Sequence, residues 1–143
     1  MPAARHFSLV GSASLLTARE FASAAGQVLR FWRVPEPRVS VLELAVAEMA
    51  SNAFRHSYRG REGGDLHLRL DWDEVGLRIA LTDRGLPFDP QRVPAPPEPD
   101  PGEPSTWPEG GMGLALIRSA GCVSYRSDAE GNELSLVVEE PLA

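Results

Sequence analysis

At 143 residues, with 43% hydrophobic and 24% charged residues, the chain has the size and composition of one soluble globular domain. It contains no run of about 20 apolar residues to span a bilayer and no signal-peptide apolar core near its start, so the cytoplasm is the expected compartment. A net charge of −6 argues against a nucleic-acid binder and favours protein or small-molecule partners. All fourteen basic residues are arginines, which excludes a P-loop, the strand lysine of eukaryotic-type kinases and a pyridoxal Schiff base. Cys122 has no partner for an internal disulfide, and the three histidines show no zinc-ligand spacing, so Cys122 reads as a small buried hydrophobe.

In chain order, a short strand over residues 6–10 precedes a helix capped by Ser14 or Thr17 that runs to about Arg33, where Pro35 and Pro37 end it. A second helix is expected from Arg38 or Ser40 to about His56, because Leu42, Ala45, Val46, Met49, Ala50 and Ala53 recur at helical spacing. The Gly-rich stretch 60–64 breaks it. Alternation of Leu66, Leu68, Leu70 and Trp72, then of Val75, Leu77, Ile79 and Leu81, predicts two half-buried strands joined by a tight turn. Residues 90–108 hold eight of the thirteen prolines and read as a long loop within the domain. Residues 112–120 read as a helix, and 123–127 with 133–139 as a closing hairpin. The order predicts an α+β sandwich with helices on one face of a largely antiparallel sheet, whose other face is free for solvent or for an oligomer such as a homodimer.

Three groups of residues have chemical potential. On the second helix Glu48, Asn52 and His56 stand four residues apart, in a row bordering the apolar stripe; an Asn amide oxygen is a hard ligand suited to Mg²⁺, and a glutamate can accept a proton. At the end of an alternating strand, Asp83 with Gly85 forms an Asp-x-Gly turn whose carboxylate can accept a hydrogen bond from the exocyclic amine of adenine. Gly110, Gly111 and Gly113, interleaved with Met112 and followed by Leu114, open a helix whose N–H groups can face phosphate oxygens. Taken singly these are also a polar helix flank, a common turn and the end of a loop. Their specificity lies in their order on helix, strand end and loop-helix junction.

In that order the motifs resemble those of the GHKL ATPases, whose two-layer α/β sandwich is the Bergerat fold. Residues 43–57, ELAVAEMASNAFRHS, resemble the N-box, Asp83-Arg84-Gly85 the first glycine box, and GGMGLALI the second. The resemblance is closest to the bacterial anti-sigma-factor serine/threonine kinases and reaches GNELSLVV near the end, covering nearly the whole chain as a single domain, 1–143. It implies Glu48 as general base and Asn52 as Mg²⁺ ligand. It further implies Asp83 as adenine reader, and Gly110, Gly111 and Gly113 as phosphate holders. His56, Gly85, Met112 and Leu114 complete the nucleotide contacts, and residues 90–109 form a lid over ATP. The implied reaction is γ-phosphoryl transfer from ATP·Mg²⁺ to a serine or threonine of an anti-anti-sigma (STAS-type) partner, with sequestration of a sigma factor as a second activity. Such transfer works chiefly by positioning and charge neutralisation, so it does not require a lysine.

Two departures from the family pattern stand out. The glycine expected two residues after Gly85 is Pro87, and the lid carries Glu98, Asp100 and Glu103 with Arg92 as its cation. A module that keeps the nucleotide fold without turnover is the alternative these acidic residues suggest. A two-component histidine kinase would also need a dimerising helix pair bearing a phosphoacceptor histidine, and only about forty residues precede the N-box-like segment.

Overall fold

A computed structural model describes residues 4–92 and 113–139. They form two layers. Strands β1 (Arg5–Ser12), β2 (Asp65–Trp72), β3 (Leu77–Asp83), β4 (Cys122–Asp128) and β5 (Gly131–Val138) make one sheet in the order β1-β2-β3-β5-β4, with every pairing antiparallel. Helices α1 (Leu15–Phe31), α2 (Glu36–Asn52) and α3 (Gly113–Ala120) pack together and against the sheet, so the expected α+β architecture is observed. No described helix is long and apolar enough to cross a membrane.

The core follows from the two periodicities of the sequence. Leu66, Leu68 and Leu70 of β2 point to one face, as do Leu77, Ile79 and Leu81 of β3 and Leu134, Leu136 and Val138 of β5. They meet Phe21, Ala25 and Leu29 of α1, Val39, Leu42, Val46 and Met49 of α2, and Ile117 of α3. Ser14 caps α1, its side chain accepting from the Thr17 N–H at 3.0 Å.

Three local expectations shift. Helix α2 starts at Glu36, earlier than Arg38, because Pro35 serves as its N-cap and Pro37 sits in the first turn, where a missing N–H costs nothing. Val75 is not a strand residue; it lies 71% exposed in the turn between β2 and β3. Cys122 is exposed rather than buried, since it opens the edge strand β4 and points away from the helices.

The face turned from the helices carries an ionic cluster. Glu133, 6% exposed, accepts from Arg69 at 3.2 Å, Arg78 at 3.0 Å and Arg126 at 2.7 Å. Small neighbours make room for the arginines, because Ala80 and Ser135 face each other across β3 and β5. Burial pushes the Glu133 carboxyl up, but the Arg126 hydrogen bond and the fields of Arg78 and Arg69 outweigh it and hold the group below the ordinary glutamate range. A depressed folded-state pKa adds stability that is present above the unfolded value and lost as pH falls through the folded one. Glu133→Gln is therefore expected to lose about 1–2 kcal/mol near neutrality, the arginines being partly solvated. In urea unfolding, the gap from wild type should shrink on acidification below about pH 4, the ordinary glutamate range.

Candidate nucleotide site

The site is assembled where the C-terminal end of α2 meets the turn after β3. Helix α2 passes into a π turn, Ala53–Ser57, in which the Tyr58 N–H bonds the Ala53 carbonyl five residues back at 3.0 Å. The extra residue breaks the straight row expected for Glu48, Asn52 and His56. Glu48 is half-buried, Asn52 is buried at 8% exposure and His56 is exposed. Asn52 thus joins the interior instead of bordering it.

The π turn also delivers contacts that the row does not. The Ser57 carbonyl accepts from the Leu86 N–H at 2.8 Å, and the Ser57 hydroxyl bonds the Asp83 carboxylate. Tyr58 donates its hydroxyl to the Asp65 carbonyl at 2.6 Å and accepts from the Arg84 N–H at 2.8 Å. The turn after β3 is thereby tied to the end of the helix. Gly85 fits because a Cβ there would lie 2.3 Å from the Ser57 carbonyl oxygen. Beyond it, the Phe88 N–H donates to the Tyr125 hydroxyl at 2.9 Å, and the Phe88 ring stacks on His56 with centroids 4.1 Å apart. Partial burial and neighbouring Arg55 lower the His56 pKa, so the ring is neutral at pH 7 and meets its neighbour as an aromatic surface.

Asp83 is 8% exposed and accepts from the Asn132 side-chain amide at 2.8 Å and the Gly85 N–H at 2.9 Å. Burial pushes its carboxyl up; the bonds from Asn132, Gly85 and Ser57 oppose that rise. Asn52 and Asp83 line one slot with Met49, Ser57, Phe88 and Tyr125, of about 10 Å³, room for about one water. The largest concavity among the described residues, about 880 Å³, is an open groove beside the same turn that reaches Val10, His67, Thr82 and Arg126. It shares Asp83 and Gly85 with the slot but lacks Glu48 and Asn52, so it is not where the motif residues gather.

Glu48 faces the start of α3. A Cβ on Gly113 would lie 2.4 Å from Glu48 Oε2, an enclosed oxygen without a hydrogen-bond partner. The structure therefore brings Glu48 to Gly113, and Asn52 to Asp83, while Leu114 follows at the half-buried first turn of α3. Gly110, Gly111 and Met112 lie outside the described residues, as does the lid expected at 90–109 except for its 3₁₀ turn, Pro90–Arg92. Ser57, Tyr58 and Asn132 were not singled out as site residues by sequence. Only Asn132 left a trace, as the polar residue after the glycine that opens β5.

A two-layer sandwich with an Asn-bearing helix end, an Asp-Gly turn and a glycine-led helix defines a nucleotide-binding class of fold. The family model described as histidine kinase-like ATPase domain matches residues 11–138, and the chain belongs to that family. It is also similar to the serine-protein kinase RsbW of Oceanobacillus iheyensis, 35% identical over 80 residues that cover 54% of this chain and 51% of the relative. The match thus spans about half the length of that relative.

Proposed function

We propose that the protein is an ATP·Mg²⁺-dependent serine/threonine kinase acting on an anti-anti-sigma type regulatory protein. Binding and sequestration of a sigma factor is its second activity. The observation that carries the reading is Glu48, whose enclosed, unpartnered carboxylate oxygen meets the start of the glycine-led helix α3, one helical turn from Asn52. The donor set suits the nucleotide. The amide oxygen of Asn52 is a hard ligand for Mg²⁺, Asp83 accepts from the base amine, and the N-terminus of α3 at Gly113 faces phosphate.

Bound ATP·Mg²⁺ supplies the transferable γ-phosphoryl group and neutralises its charge. Glu48 takes the proton of the substrate hydroxyl as that oxygen bonds the γ-phosphorus, and the bond to the bridging oxygen of ADP breaks. Phe88, Tyr125 and Pro90 wall the slot on the side of the Asp83 turn and exclude water from the base. Incubation with ATP·Mg²⁺ and a purified anti-anti-sigma partner should yield phosphoserine or phosphothreonine on the partner by mass spectrometry. No incorporation under conditions where ATP binds would refute the kinase assignment.

The narrowness of the slot beneath Asp83 favours one second reading, an interaction module of the same fold that has lost turnover. Calorimetry separates the two. Dissociation constants no tighter than about millimolar for ATP·Mg²⁺ support the module, and micromolar ones the kinase.

A further inference from the structure

Asp83 does not present two equivalent oxygens. Its Oδ1 receives both the Asn132 Nδ2–H at 2.8 Å and the Gly85 N–H at 2.9 Å, which occupies that oxygen and leaves Oδ2 for further donors. Asp83 and Asn132 are directly paired across β3 and β5, so the contact joins two sheet strands and involves no mobile loop. Asn132 is itself 3% exposed and held on both sides. Its Oδ1 accepts from the Ser127 hydroxyl at 2.6 Å, while Nδ2 also faces the Gly85 carbonyl at 3.0 Å and the Leu86 carbonyl at 3.4 Å. The reverse amide orientation would set an oxygen against a carboxylate and two carbonyls, so the network dictates which end faces Asp83.

We propose that Asn132 is a positioning residue that fixes which oxygen of Asp83 meets the nucleotide base, and thereby sets a preference for a 6-amino purine over a 6-keto purine. The inference rests on the nucleotide reading above. A carboxylate turns about a broad, roughly two-fold torsion unless something pins it. Pinned at Oδ1, Asp83 offers one directed acceptor, which an amine satisfies and a keto oxygen does not. Burial pushes the Asp83 carboxyl up, and the Asn132 hydrogen bond is the largest effect opposing that rise, so Asn132 also favours the ionised, acceptor-only form. Ser127 orients Asn132 and belongs to the same device.

The test is calorimetric titration of ATP·Mg²⁺ and inosine triphosphate·Mg²⁺ into wild type, Asn132→Ala, Ser127→Ala and Asp83→Asn, each first checked for cooperative unfolding. Wild type should prefer ATP by about tenfold or more, the scale of one hydrogen bond to a charged group. Asn132→Ala should bring the ratio within about threefold chiefly by weakening ATP, and Ser127→Ala should give an intermediate ratio. Asp83→Asn, which can turn a donor toward the keto oxygen, should erase or invert the preference. A general structural loss would weaken both nucleotides together and leave the ratio alone. Because Ser127 is exposed, its variant carries the test if Asn132→Ala fails to fold. A wild-type preference that Asp83→Asn abolishes but Asn132→Ala and Ser127→Ala leave intact overturns the role of Asn132 alone. A wild type that binds neither nucleotide overturns the nucleotide reading and this inference with it.

Discussion

Glu48→Gln is expected to lower phosphoryl transfer to a protein serine or threonine by about 10²–10⁴-fold, the usual contribution of a positioned general base. ATP affinity should change little. Glutamine keeps the size of the side chain and its seat against Gly113 but accepts no proton, so the loss should fall on kcat rather than on KM. The enclosed Oε2 makes the expectation specific, since an oxygen that nothing in the chain satisfies is available to an incoming hydroxyl. Single-turnover phosphorylation with saturating ATP·Mg²⁺ is the measurement. Undiminished turnover in the variant would place the base elsewhere and remove the main support for the kinase reading.

Ile79→Ala should produce the largest loss of stability of the changes considered, about 3 kcal/mol within the usual range for deleting a buried branched side chain. Ile79 is fully buried at the centre of β3, directly opposite Leu70 on β2 and Leu136 on β5, both also fully buried. A strand held between two others cannot shift to fill a hole, so most of the cavity should persist. For a domain of this size that corresponds to a fall in Tm of roughly 10 °C. Urea unfolding should show a lower midpoint at unchanged slope. A loss below about 1 kcal/mol would mean that the helical layer collapses onto the sheet. Glu133→Gln, by contrast, disturbs a cluster whose arginines reach solvent, and costs less for that reason.

What could be read from the sequence was whatever a residue decides with its near neighbours. The alternation around Leu66 and Ile79 marked two strands because period two is imposed by the pleat, and Ser14 marked a helix start because its hydroxyl answers an N–H three residues on. Pro37 misled, because the residue that ends one helix is equally at home in the first turn of the next. Cys122 misled because composition favours burial while position on an edge strand decides exposure. Glu48, Asn52 and Asp83 were visible as chemical types at telling intervals. The links of Ser57 and Asn132 to Asp83 were not, because they join residues 26 and 49 positions apart through the closing of the sheet. The π turn has no local sequence signal that marks it; it is recognisable by one hydrogen bond that reaches a residue too far.

That turn divides the chain into a stretch where length is counted and one where it is free. A π turn is an α-helix with one residue to spare, so deleting any one residue of Ala53–Ser57 would let the helix close and swing everything after it by about 100°. The Ser57 carbonyl would leave the Leu86 N–H, and His56 would leave Phe88. A few residues later, Gly60 and Gly63 stand in open space, and insertions there should be absorbed by the loop. Among natural variants of this domain, gaps should therefore gather after Tyr58 and be missing just before it.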